Sequence, residues 1–417
     1  MDSRNPAPGT APQPVAPDIL PAQRSTLSHR GTGTPRLEHV LGQPSWSFGT
    51  GLVRATLTRR GGHLAPVTFT LKSGQTAQPF AVAPWALRKL PREVPDLLRA
   101  LRGDFFCCPF GANGVPWRGE RHPPHGETAN GNWSLVSLER GKGRSTLHAR
   151  MSTRVRKGQV DKFLTLIDDH TALYSSHVIS GMQGPMSVGH HALLKFPVGV
   201  GGRISTSRFE HGQVLPSAFE SPEAGGYQSL RPGAVFRSLK RVPRQDGSHA
   251  DLTVFPARPG YDDLVLLAAP ARLRLAWSAV TFRQPSYVWF ALRDPRSLRS
   301  TLLWMSNGGR HYFPWNGQHT RVLGIEDVTA NFHYGLAESA GSNPLRRRGV
   351  ATTLPLDKDR PTTIRYIMGV AAVPVGFDRV ADIRPAGDGI ELVASNGLRS
   401  RVRIDLDFLD ARPPRSE

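Results

Sequence analysis

The stretch SVGHHALLKFP, Ser187 to Pro197, reads as a β-strand: the apolar run Ala192 to Phe196 is followed by proline and entered through glycine. Side chains alternate across a strand, so His190 and His191 must face opposite ways and one of them points inward. Runs of the same kind recur on both sides of it, at Leu52 to Leu57, Val67 to Leu71, Phe163 to Ile167, Leu264 to Leu267, Tyr287 to Leu292, Thr363 to Met368 and Val402 to Leu406. Glycine, proline, asparagine or aspartate punctuates them. Some alternate apolar with polar residues and others are continuous, as strands with one or two buried faces do. One helix is expected, over Pro91 to Leu101, where Leu97, Leu98 and Leu101 fall at helical spacing and Gly103 supplies a stop. No repeat of fixed period is present, which argues against a propeller or solenoid. The pattern predicts a mainly β protein built as a large antiparallel two-sheet β-sandwich.

The chain has 417 residues. At about 150 residues per domain it has room for two or three domains, but sandwiches of this kind often run longer as one unit. Residues 1–35 carry prolines at positions 6, 8, 12, 14, 17, 21 and 35 and few large apolar side chains, the composition of a disordered arm. Residues 36–410 are expected to form the sandwich domain, and 411–417 a flexible tail. With 39% apolar and 21% charged residues, the chain has the material for a real core. No run approaches the roughly 18 apolar residues of a membrane helix, and the N-terminus has no apolar segment behind a basic start. The two cysteines, Cys107 and Cys108, are adjacent and supply no disulfide framework, so the expected compartment is a reducing cytoplasm.

The formal net charge of +20 raises nucleic acid as a partner. The charge is scattered, however: Arg346 to Arg348 is the only short basic run, and no repeated aromatic platform accompanies it. No nucleic-acid or membrane partner is expected, and the arginines read as a solvated surface.

Histidines carry the chemical signal, because imidazole exchanges protons near neutral pH. One cluster lies in CCPFGANGVPWRGERHPPHGETANGNW, Cys107 to Trp133, where His122 and His125 sit in a loop dense in glycine and proline. Gly126 would let backbone approach a ligand closely, and Trp133 offers an apolar plate for the C–H face of a sugar. The same loop is consistent with histidines that merely cap turns. A second cluster is the His190–His191 pair. A third, Ser306 to Gly335, places Glu326 inside the apolar run VLGIEDV. A buried glutamate there can act as a base near neutrality, or serve as the ion-pair partner of Arg310 or Arg321. The chain holds no GxxxxGK[ST] phosphate loop and no CxxC or HExxH motif, and the spacing of His122, His125, His311 and His319 matches no standard metal-ligand pattern. No metal and no organic cofactor are expected.

Four segments together resemble the galactose mutarotase (aldose 1-epimerase) superfamily. PHGETANGNW, Pro124 to Trp133, is similar to its HGxxxxxxW segment, VGHHALLKF to VGWHPYFRL, PGYDDLVLL at Pro259 to GYDHxF, and VLGIEDVT to its late GIEP segment. The likeness runs in sparse motifs from GGHLAPVTF at Gly61 to about Val380. It implies a galactose mutarotase-like supersandwich and an enzyme that interconverts the anomers of an aldose or related sugar. In that role Glu326 would be the general base, His191 the general acid, His125 the group at the ring oxygen, and Asp262 an acceptor for sugar hydroxyls.

The chain departs from the family pattern where an Asn-Arg pair is expected. Asn113 is followed by Gly114, leaving Arg118 or Arg121 as substitutes. The aromatic pair after the second histidine is replaced by Leu193 and Leu194, and SNGGRHYFPWNGQH, Ser306 to His319, is richer in histidine and tryptophan. Arg121, Arg310, Trp315 and His319 therefore join Asp262 and Trp133 as candidate substrate-binding residues. The alternative function is a carbohydrate-binding protein on the same fold without catalysis.

Overall fold

The computed structural model describes residues 35–284 and 286–410. The expected arm and tail lie outside these residues, apart from Pro35. Seven strands make the sheet that matters for function: β1 (Phe106–Cys107), β2 (Val188–Lys195), β3 (His211–Val214), β4 (Val235–Phe236), β5 (Tyr261–Ala268), β6 (Ser300–Asn307) and β7 (Val322–Thr329). Their spatial order is β4-β3-β5-β6-β7-β2-β1, and every pairing is antiparallel. A second antiparallel sheet of nine strands begins at Val254–Phe255 and ends at Ser134–Gly141, with Ser286–Arg293 and Thr362–Ala372 near its centre. A five-stranded sheet spans Glu38–Val40 to Thr76–Ala77, and a three-stranded sheet is made by Val380–Ala386, Gly389–Ala394 and Arg399–Arg403. The protein is mainly β, as its pattern of short apolar runs requires.

Alternation along each strand sorts side chains into two cores. From β2, Val188, Ala192 and Leu194 join Leu303, Met305, Leu323 and Ile325 in the large core that also takes Trp289, Tyr366 and Met368 from the nine-stranded sheet. The opposite face of the seven-stranded sheet sends Leu193, Leu264, Leu302, Trp304 and Val328 into a separate core with Trp85, Leu97 and Phe105. Both faces are covered, so the central strands read as continuous apolar runs. Each fully buried Leu, Ile or Phe contributes roughly 1.5–3 kcal/mol of transfer free energy. A third core joins the outer face of the nine-stranded sheet, through Tyr174, Trp277 and Phe290, to Ile383, Ile390 and Leu392 of the three-stranded sheet.

The two histidines of β2 divide as alternation requires. His190 turns into the sandwich, where its Nδ1 meets Asp104 Oδ2 at 2.8 Å and its ring stacks on Tyr366 at 4.2 Å. Nearby, Asp327 accepts from Tyr366 and Thr301 at 2.7 Å and pairs with Arg293 at 2.7 Å. These polar groups partner one another in part between the sheets, while His190 Nε2 and Asp104 Oδ1 remain buried without a hydrogen-bond partner.

Two boundaries differ from expectation. The helix covers only Asp96–Ala100, with Pro95 as its N-cap, because Pro91 and Pro95 keep the preceding residues in turns. The run Val402 to Leu406 is strand only through Arg403, after which the chain passes to a short helical turn at Asp407–Leu409.

Candidate active site

The second face of the seven-stranded sheet carries the site. Register places His191 of β2 directly opposite Glu326 of β7, and Leu302 of β6 opposite Glu326 on its other side. His191 Nε2 lies 3.3 Å from Glu326 Oε1, and both side chains are buried. The His191 backbone N–H donates to Phe105 O at 3.0 Å, and its ring stacks on Phe105 at 4.5 Å, which fixes the imidazole plane. Glu326 makes no ion pair with Arg310 or Arg321. Arg321 instead donates to the carbonyls of Phe196, Pro197 and Val200.

His125 arrives from the loop between β1 and the edge strand Ser134–Gly141. It adopts a left-handed backbone, φ 59°, and is followed by Gly126 at φ 77°. Gly126 packs against Cys108, where a Cβ would stand 2.2 Å from the Cys108 carbonyl oxygen, so only glycine fits. Backbone N–H of His125 donates to Gly111 O at 2.6 Å. The turn throws its imidazole toward His191, with ring centroids 5.2 Å apart. Cys107 Sγ lies 3.4 Å from His125 Nδ1. Burial, with Glu326 and Asp104 nearby, pushes the Cys107 thiol well above its usual pKa, so the S–H persists and is placed to donate to Nδ1. In that arrangement, one of the two tautomers this contact allows, His125 Nε2 carries the N–H.

His191, Glu326 and His125 line a cavity of about 110 Å³ that also takes Arg310, Trp315, Trp304, Phe219 and His333. The Arg310 guanidinium lies 4.7–4.9 Å from the ring centres of Trp315, Phe219 and Trp304. Its Nε is hydrogen-bonded to Glu220 Oε1 and lies 3.7 Å from Asp262 Oδ2. Asp262 itself stands behind the wall: it accepts from Trp304 Nε1 at 3.0 Å and from the Gly309 N–H at 2.8 Å. His319 backs the same wall, stacked on Trp304 at 5.3 Å and hydrogen-bonded to Ser306 at 2.7 Å.

Two expected substrate contacts lie elsewhere. Trp133 is fully buried in the main core, donating through Nε1 to Thr128 O at 3.0 Å, because that loop turns its indole into the sandwich. Arg121 is exposed and is not part of the cavity wall. His122 pairs with Glu120 at 2.9 Å, outside the cavity. Asn113, the matching half of the Asn-Arg pair, ties two loops together: its Oδ1 accepts from Leu336 N at 2.9 Å and its Nδ2 donates to Gly111 O at 3.0 Å. His333, Trp304, Phe219, Leu97, Leu98 and Leu101 line the cavity without having been singled out as site residues by sequence. The NFHYG stretch that closes the third histidine cluster was the available signal for His333.

Burial governs the charges. It lowers His191 well below 6.5, helped by His125 and His63, and raises Glu326 to about 8, opposed by Arg310. Burial also lowers His125 to about 3 and His333 to about 4. The protonated His191 that a general acid requires is thus disfavoured by burial. The pair holds one proton, which resides on Glu326 beside a neutral imidazole. Among the described residues no group of three or more His, Cys, Asp and Glu side chains is arranged to hold a metal ion.

The mainly antiparallel β architecture is the galactose mutarotase-like fold. Solved structures that share it include a candidate aldose 1-epimerase from Escherichia coli K12, 13% identical, covering 79% of this chain and 99% of that one with a TM-score of 0.52. A candidate aldose 1-epimerase from Klebsiella pneumoniae is 13% identical over 81% of this chain and 82% of its own, TM-score 0.55. A galactose mutarotase-like protein from Clostridium acetobutylicum is 12% identical over 81% and 98%, TM-score 0.52. No family model and no curated relative matches the sequence. No helix among the described residues is long and apolar enough to cross a membrane.

Proposed function

We propose that the protein is an aldose 1-epimerase-like isomerase that interconverts the anomers of a sugar by acid–base catalysis. The observation that carries this reading is the buried His191–Glu326 pair, 3.3 Å apart, with the His125 ring beside it on the lining of one cavity. Mutarotation must remove the proton of the anomeric hydroxyl and protonate the ring oxygen while the bond between C1 and that oxygen breaks. Bound sugar offers hydrogen bonds that favour the charge-separated form of the pair, with the proton on His191. Glu326 then takes the O1 proton as C1=O1 forms, and His191 gives its proton to the ring oxygen. This step leaves a protonated Glu326 beside a neutral His191, the form that burial prefers. Rotation about C1–C2 and the reverse transfers close the other anomer, so no proton or electron is gained or lost. His125 donates Nε2–H to the ring oxygen as it gains charge. Buried free thiols at Cys107 and Cys108 fit a reducing cytoplasm.

Polarimetry of freshly dissolved α-aldoses, with the uncatalysed rate subtracted, tests the reading. Glu326→Gln and His191→Asn are each expected to slow interconversion by roughly 10²- to 10⁴-fold while sugar binding falls much less. Sugar binding without any acceleration in the wild type would leave the carbohydrate-binding alternative. Full activity in Glu326→Gln would remove Glu326 as the base.

A further inference from the structure

The leucines that sequence assigned to a helix face are a wall of the cavity. Leu97, Leu98 and Leu101 line it together with Phe219 and Leu264. They are built in place: Leu97 N–H donates to Asn130 Oδ1 at 3.0 Å, on the same loop as His125, and Trp85 Nε1 donates to Leu98 O at 2.7 Å. Polar groups are few by comparison. In the proposed reaction His191, Glu326 and His125 are committed to the anomeric hydroxyl and the ring oxygen, which leaves, among the described side chains on the lining, Arg310, His333 and the Trp315 indole N–H for every other sugar hydroxyl. Asp262, the carboxylate expected to accept them, has both oxygens engaged by Trp304 and Gly309 behind the wall. Among the described residues Arg310 is the one arginine or lysine on the lining, and its charge is already balanced by Glu220 and enclosed by three aromatic rings.

We propose that the site selects a neutral deoxy sugar, with fewer hydroxyls than an ordinary hexose, and turns away sugar phosphates and uronates. The proposal rests on the sugar-site reading above. Its physical basis is that a hydroxyl driven against the leucine wall loses water and finds no partner, while a phosphate or carboxylate finds no unpaired cation. One unpartnered hydroxyl is worth roughly 10- to 100-fold in discrimination. Burial keeps His125 and His333 neutral, so neither adds positive charge.

The test compares matched sugars on the full-length protein by calorimetry and polarimetry: glucose with 6-deoxyglucose and 2-deoxyglucose, galactose with 6-deoxygalactose, and glucose with glucose 6-phosphate and glucuronate. At least one deoxy sugar is expected to bind about tenfold or more tightly than its parent, and both charged sugars more weakly than glucose. Parents that bind as well as or better than every deoxy partner, or a charged sugar that binds best, would overturn the proposal. Leu98→Asn places an amide on the half-buried wall and is expected to move the deoxy-to-parent ratio about tenfold toward the parent, whereas Leu98→Met leaves it unchanged. An unmoved ratio in a folded Leu98→Asn protein would also overturn it, and if that variant does not fold, the wild-type pairs decide. Deoxy preference in binding with no acceleration of any sugar would sink the epimerase reading and leave this one standing; acceleration with parents preferred would do the reverse. Absence of all sugar binding would sink both.

Discussion

At the residue scale the proposed reaction depends on a shared proton rather than a single base. Burial opposes the charged form of both Glu326 and His191, and their polar atoms stand 3.3 Å apart, close enough for their titrations to couple. Activity requires the pair to hold one proton. As pH rises through about 8, Glu326 loses it next to an already neutral His191, so the rate should fall on the alkaline side. As pH falls, a second proton can enter only at His191, whose pKa lies well below 6.5, so the acid limb should lie below the usual histidine range. A rate profile over pH 4–10 measures both limbs, and a profile that declines through pH 6.5 would contradict the assignment. Cys107 meets the site at His125, its Sγ 3.4 Å from Nδ1. Cys107→Ser keeps a donor to Nδ1 and should retain most activity, whereas Cys107→Ala removes it and should lower kcat by roughly tenfold. Nitrogen-15 chemical shifts of His125 in the two variants report the tautomer directly, with Cys107→Ala gaining the Nδ1–H form.

Strand register is what turns separate sequence motifs into a site at the scale of elements. His191 faces Glu326 across the β2–β7 pair, and Trp304 of β6 faces Gly324 of β7. A one-residue slip would turn every one of these side chains into the sandwich. Gly324 is the space that lets the arrangement close: a Cβ there would lie 3.0 Å from both Trp304 Cβ and Glu326 Oε1. Gly324→Ala should therefore fold, lose about 1–2 kcal/mol by overpacking, and slow turnover by roughly tenfold or more as Trp304 and Glu326 shift. Denaturant melts and polarimetry measure the two effects, and a variant with wild-type rate and stability would show that the wall is not packed as described. The short helix Asp96–Ala100 has a similar placing role, since its leucines are held against the site by Asn130 and Trp85.

For the molecule as a whole, the buried titratable groups couple function to stability. Glu326 has a folded pKa near 8 against an ordinary value of 4.5, so between these pH values the native state binds the proton and the unfolded chain does not. Stability from this group is fully present below 4.5 and is lost as pH rises toward 8, by on the order of 1.4 kcal/mol per pH unit at most. Glu326→Gln lacks this slope, so its advantage in Tm over the wild type should grow from pH 5 to pH 8; a constant difference would mean that Glu326 is not held protonated. His63 and His319 act with the opposite sign. Both are lowered to about 3 by burial, so the unfolded chain binds protons first and stability falls as pH drops from 6.5 toward 3.

The mainly β class, the opposed directions of His190 and His191, and the resemblance that pointed to His125, His191, Asp262 and Glu326 were all legible in the sequence. They depend on local chemistry: period-two alternation, glycine and proline punctuation, and motifs carried within a few residues. Only the tertiary structure decided who touches whom. Trp133 and Trp315 are both tryptophans in glycine-rich loops, yet one is buried in the main core and the other borders the cavity, because loop paths set their directions. Arg310 rather than Arg121 stands at the cavity, where it meets Glu220, a residue 90 positions away in the chain. Asp262 lies two residues before the expected run Leu264 to Leu267, on a strand that starts earlier at Tyr261, and its carboxylate is held by the Trp304 indole, two positions from its cross-strand partner Ser306, rather than facing the cavity. Packing between strands and loops distant in sequence fixes these outcomes, and no local pattern encodes it.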